Sequence, residues 1–170
     1  MTTHATAQAM SLTSPDIEPG GRIADEHTFN GWGCSGKNLS PALSWSGAPA
    51  GTKSFALTLY DPDAPTGSGF WHWVMFNIPP DVTHLASGAG DPKSPAAPKG
   101  AVQSRTDFGT PGYGGPAPPK GDKPHRYQFT IFAVDLDKLD ADENTSAAVV
   151  GFNLNFHTLA KATLTGLFGH

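Results

Sequence analysis

Lys53-Ser54-Phe55-Ala56-Leu57-Thr58-Leu59-Tyr60-Asp61-Pro62-Asp63-Ala64-Pro65 is the stretch that decides how this chain folds. Phe55, Leu57 and Leu59 alternate with Ala56, Thr58 and Tyr60. A period of two sends successive side chains to opposite faces of a strand. Pairing must stop just after Asp61, because each proline lacks an amide hydrogen and fixes φ. The stretch therefore reads as a strand closed by a rigid turn that carries two carboxylates.

The same logic extends outward. Phe70 to Ile78 is apolar on both faces, as expected of a central strand covered on both sides. Arg126 to Leu136 puts Tyr127, Phe129, Ile131 and Ala133 on one face and Gln128, Thr130, Phe132 and Val134 on the other. Asn38 to Trp45 alternates Leu39, Leu43 and Trp45 among polar residues, as a half-buried strand would, and Met10 to Ser14 can start an edge strand. From Gly151 the apolar positions Phe152, Leu154, Phe156, Leu159, Ala160, Leu164 and Leu167 suit a helix, which Gly166 would end. Residues 88–124 hold eight glycines and eight prolines and no periodic apolar run. A connection that long in a compact domain is usually functional or disordered. Around Pro92 to Gly100 it reads as a solvated excursion. From Gly109 to Gly121, where Tyr113 is followed by Pro116, Pro118 and Pro119, it reads as rigid walling.

The bulk numbers exclude several classes. A chain of 170 residues suits one domain over 1–170, with residues 1–10 expected to be mobile. The net charge is −4, and the 11 Lys and Arg are scattered, which argues against a nucleic-acid surface or a polybasic membrane patch. No apolar run approaches the roughly 20 residues of a membrane span. The N-terminal stretch has neither a cationic start nor an apolar core, so it does not read as a secretory signal. The single cysteine, Cys34, reads as an inert thiol in a reducing, cytoplasmic compartment.

The candidate chemistry gathers at three strand ends. His125 and Tyr127 share one face of their strand, Arg126 takes the other, His72 sits near the start of a buried strand, and Asp61 closes a third. If these ends meet, two imidazoles, a phenol and a carboxylate form a pocket that favours phosphate. The histidines can carry positive charge, and Asp61 can hold an imidazole in the required tautomer. The phosphate-loop, serine-hydrolase elbow and His-Glu-x-x-His patterns are absent. Asp61, Asp63, His72 and His125 also admit a mixed zinc or iron site, the basis of a metal-dependent hydrolase alternative.

Four stretches carry a resemblance to a known family: Asn38-Leu39-Ser40-Pro41, Tyr60 to Pro65, Trp71-His72-Trp73 through Asn77, and Gly114 to Gly121 leading to His125-Arg126-Tyr127. In their order and spacing the chain resembles the phosphatidylethanolamine-binding proteins, also called Raf kinase inhibitor proteins, and their bacterial branch in particular. The resemblance implies a mainly β fold, a sandwich of two antiparallel sheets with one or two short C-terminal helices. It implies a shallow anion pocket on Asp61, His72, His125 and Tyr127, walled by Gly115, Pro118 and Pro119, and a cis peptide before Pro65. It also makes a homodimer plausible. This chain departs from relatives at Lys123, where animal members tend to have glycine, and at Ala117, where bacterial members often have cysteine.

The functional expectation is a non-catalytic, cofactor-free binding or regulatory protein for a small anionic ligand, with phosphate-bearing headgroups or metabolites as the leading class. An inhibitor of proteases or kinases that contacts its partner through the 88–124 loop is the alternative from a different class.

Overall fold

The computed structural model describes residues 9–170. Eight strands form two antiparallel sheets. The smaller sheet joins β1 (Ser11–Thr13), β2 (Leu43–Ser46) and β5 (His84–Leu85) in the order β1-β2-β5. The larger contains β3 (Ser54–Asp61), β4 (Phe70–Ile78), β6 (Val102–Gln103), β7 (His125–Val134) and β8 (Thr158–Phe168), in the order β6-β4-β3-β7-β8. One helix, α1 (Ala147–His157), packs on the outer face of the larger sheet.

The alternation along β3 and β7 places the core. Phe55, Leu57 and Leu59 join Phe129, Ile131 and Ala133 against Leu12, Leu43, Trp45 and Leu85 of the smaller sheet. Ala56 and Val134 face outward instead, on the same side as Val74 and Phe76 of β4, where Val150 and Leu154 of α1 cover that face. Each fully buried side chain of this size contributes about 1.5–3 kcal/mol, so the strands at the centre of the larger sheet are the most strongly fixed part of the molecule. Of the first ten residues, Met10 packs against the core, and the expectation of mobility otherwise falls largely outside the described residues.

The C-terminal segment differs from expectation. The helix spans Ala147–His157, begins earlier than the sequence pattern suggested, and is capped by the Ser146 hydroxyl, which accepts from the Val149 amide. Residues Thr158 to Phe168 are a strand paired along its length with β7, so Leu159, Leu164 and Leu167 are not helical. The apolar spacing fits both periods over this stretch. The β-branched Thr158, Thr163 and Thr165, together with an open edge on β7, decide for the strand. Gly166 lies opposite Tyr127 inside that strand, with Ile23 and Ile17 packed where a side chain would stand, and it ends no helix. The strand expected over Asn38–Trp45 is confined to β2, because Asn38 turns the chain at φ 52°. No peptide bond among the described residues is cis, so the bond before Pro65 is trans.

Candidate functional site

One irregularity in pairing makes the site. Leu59 pairs with Trp73, but the next pair is Tyr60 with Trp71, so the register passes over His72. A bulge of this kind lets consecutive residues share a face. Trp73 stays in the inner core, Trp71 stacks on Tyr60 outside at a centroid distance of 4.3 Å, and His72 turns inward to meet the Tyr127 ring at 5.4 Å. Asp61, His125 and Tyr127 reach the same inner end through ordinary alternation, and all four side chains are buried.

Each ring is held from behind. The His72 Nδ1–H donates to the carbonyl oxygens of Gly114 (2.8 Å) and Gly115 (3.1 Å). That leaves the Nε2 edge as the imidazole's contribution to the cavity. The glycines fit because no β-carbon is possible there: at Gly114 it would strike the Phe108 ring, and at Gly115 the backbone of His27 and Thr28. Asn38 braces this wall, accepting from the Gly115 amide (2.7 Å) and donating to the Tyr113 carbonyl (3.1 Å), while the Tyr113 hydroxyl donates to the His27 carbonyl (2.7 Å).

His125 stands between two carboxylates. Its Nδ1–H donates to Asp61 Oδ2 (2.8 Å) and its Nε2–H to Asp122 Oδ2 (2.9 Å). Both ring nitrogens then act as donors, which describes an imidazolium. Burial opposes the charge, but the hydrogen bonds that the ring donates to Asp61 and Asp122 outweigh it and raise the pKa. His72 goes the other way: burial drives it down to about 4, and its bonds to Gly114 and its proximity to Asp61 only partly oppose this. Tyr127 is pushed up, chiefly by burial and then by the Asp61 charge, and its hydroxyl has no hydrogen-bonding partner among the described residues. The second Asp61 oxygen accepts from the Asp63 amide (2.8 Å). On the outer face Asp63 holds Arg126 through both carboxylate oxygens (2.8 and 3.0 Å), which pins the Pro62–Pro65 turn to β7.

These groups close one end of a cavity of about 220 Å³. Asp61, His72, Pro118, Pro119 and His125 line it, together with Trp32, Pro65, Thr66 and Phe70. Gly115 lies behind His72 rather than in the lining, and Tyr127 lies between the two imidazoles. The two imidazoles are driven apart: burial lowers His72 to about 4, while the carboxylates of Asp61 and Asp122 raise His125. Asp122, Phe70 and Trp32 were missed. Asp122 stands three residues before His125 and Phe70 two before His72, but neither spacing signals a site by itself. Trp32, with φ 55° and 67% of its surface exposed, is the one bulky residue among those described that is held in the left-handed region. No sequence pattern announces that conformation.

The family model for phosphatidylethanolamine-binding proteins matches residues 13–169. The chain belongs to the phosphatidylethanolamine-binding protein family. YbcL of Escherichia coli is 51% identical over 168 residues, 99% of this chain and 92% of that one. YbhB of the same organism is 53% identical over 159 residues, 94% and 99% of the two chains. The crystal structure of YbcL superposes with a TM-score of 0.94 at 50% identity, covering 96% of this chain and 99% of that one, and is described as a new member of the mammalian family. A Chlamydia trachomatis homologue superposes at 0.80 with 32% identity, covering 95% and 98%. The family's two-sheet architecture is thus this chain's own, and the His72 bulge is the detail that forms the pocket within it. Among the described residues no helix is long and apolar enough to cross a membrane.

Proposed function

We propose that this protein is a non-catalytic binding module for small phosphate-bearing ligands, acting in the reducing cytoplasm that a chain with a lone cysteine suits. The observation that carries the reading is the buried His125 ring, both of whose nitrogens meet carboxylates that favour its protonated form, in the lining of a cavity of about 220 Å³; a protonated ring sheltered from water attracts an oxyanion more strongly than an exposed one. Pro118, Pro119 and Phe70 make the walls rigid and apolar, which limits the ligand to a small headgroup.

Several features favour binding over catalysis. Thr66, the one hydroxyl side chain in the lining, donates to the Gly69 carbonyl (2.5 Å) and is not activated by an imidazole. Asp63, a member of the alternative zinc or iron set, has both oxygens committed to Arg126. The test is an NMR titration of the imidazole signals with inorganic phosphate and phosphoethanolamine, with His72→Ala and His125→Ala for assignment. Saturable shifts of both imidazoles are expected. No response from either ring would remove the reading.

A further inference from the structure

The outer face of the larger sheet carries a second cavity, of about 410 Å³, which shares no lining residue with the one that His72 lines. The bulge that turns His72 inward leaves Trp71 outside, and there Trp71 of β4, Thr58 of β3 and Phe132 of β7 form the floor. Gly151 and Leu154 of α1 make one wall, and Lys161 of β8 stands at the edge. In the strand order β4-β3-β7-β8 the groove therefore runs from an indole to an ammonium group. Three strand spacings of about 4.8 Å separate the backbones that carry them.

Two features separate this groove from a chance gap in packing. Gly151 lies inside the 11-residue helix α1, where glycine loses more backbone freedom than any other residue and weakens the helix. A β-carbon there would meet nothing within 4 Å, so packing does not demand the glycine. What the missing side chain preserves is the open space beside it. Thr58 is the second feature: it is 6% exposed, lines the groove, and its hydroxyl has no hydrogen-bonding partner among the described residues, whereas buried hydroxyls are normally paired. The charges give the groove a direction. Lys161 is the one charged residue in the lining and forms no ion pair among the described residues. At the other end the Asp107 carboxylate accepts from the Trp71 amide at 2.8 Å. An anion is drawn to Lys161 and repelled from the Trp71 end, where indole and phenyl faces suit an apolar group.

We propose that this groove binds a small amphiphilic monocarboxylate of the arylalkyl type. Its apolar body lies on Trp71 and Phe132 beside Gly151, and its carboxylate accepts from Lys161 and from the Thr58 hydroxyl. One cation and one hydroxyl match the two oxygens of a carboxylate, while a phosphate dianion would leave one of its charges uncompensated. The site is separate from the phosphate-binding reading above and stands or falls without it.

The test titrates the full chain at neutral pH with 4-phenylbutyrate and with its neutral amide, 4-phenylbutanamide, and follows backbone amide, indole and imidazole NMR signals. Saturable shifts at Gly151, Lys161 and the Trp71 indole are expected, with the His72 and His125 imidazoles unmoved. The acid should bind severalfold more tightly than the amide, the scale of one exposed ion pair. Lys161→Gln should remove that difference by weakening the acid alone. Gly151→Leu, which fills the open space with a good helix former, should weaken both compounds at least tenfold while the urea midpoint holds or rises. Gly151→Ala should raise the midpoint, because only helix propensity changes there. Equal binding of acid and amide would overturn the proposal, as would parent-like affinity in Gly151→Leu. Shifts confined to the His72 and His125 imidazoles would place the acid in the inner cavity and overturn it too. A lower midpoint in Gly151→Ala would show that packing requires the glycine and remove the case for a built groove. Absence of any saturable shift would strike the site outright, leaving the phosphate titration above unaffected.

Discussion

Replacing Asn38 tests whether the cavity wall is braced from a distance. The side chain accepts from the Gly115 amide at 2.7 Å and donates to the Tyr113 carbonyl at 3.1 Å, and its backbone lies at φ 52°. Each hydrogen bond contributes about 1 kcal/mol net, and the Gly115 amide would be left without its partner, a cost of about 1–3 kcal/mol. Asn38→Gly keeps the left-handed backbone and loses both bonds, so a loss of about 2–3 kcal/mol is expected. Asn38→Ala adds the left-handed penalty of about 1–2 kcal/mol that asparagine tolerates better than alanine. Asn38→Asp retains an acceptor for Gly115 and should be the mildest of the three. Urea unfolding measures the series as midpoint shifts at constant slope. A second readout is local: as the wall loosens and admits water, His72 should titrate above its value of about 4 in the intact protein. If Asn38→Gly stays within about 0.5 kcal/mol of the parent, or alanine is no worse than glycine, the bracing argument is wrong.

Two further outcomes follow from packing and charge. In Gly166→Ala the new β-carbon would stand 2.7 Å from Ile23 Cγ1 and 3.1 Å from Ile17 Cγ2, so overpacking should cost about 1–3 kcal/mol in urea unfolding, and an unchanged midpoint would show that Ile23 yields freely. The Arg126 hydrogen bond holds the Asp63 carboxyl at about 2, below its ordinary 3.8, so its contribution is present above about pH 4 and is lost as pH falls through 2. The pair is partly exposed, so Asp63→Asn should cost at most about 1 kcal/mol at pH 6. The gap to the parent should close at the acid end, and a gap that persists at pH 1.5 would contradict the assignment.

Three strands of the larger sheet were legible in the sequence: β3 and β7 alternate cleanly, two prolines end the first of them, and β4 is apolar on both faces. Asp61, His125 and Tyr127 could be placed for the same reason. His72 was harder, since strict alternation would set it opposite Trp73, and a bulge leaves no trace in composition. It was found as a strand-start histidine, while its neutral state depends on aromatic rings contributed by distant segments. Leu159 to Leu167 misled because its apolar spacing satisfies a helical stripe about as well as one face of a strand. The free edge of β7 settles the matter, and that is a property of the assembled sheet. Asp122 was invisible for a related reason: a carboxylate in a Gly-Asp-Lys-Pro turn looks like ordinary turn chemistry until the turn folds over His125.

The bonds that build the pocket join residues far apart along the chain: Asp61 to His125 across 64 positions, Asn38 to Gly115 across 77, and Tyr113 to His27 across 86. Closing such loops costs entropy before any contact repays it, and chains rich in distant pairings fold slowly. The pocket therefore has no local precursor and forms only as the β3–β7 pairing and the outer turns close together. A truncated chain that begins after Asn38 would retain Asp61, His72, His125 and Tyr127, yet it would lose both the brace on Gly115 and the anchor for Tyr113. The capacity to bind thus belongs to the whole closed chain, and a nascent polypeptide acquires it only near the end of folding.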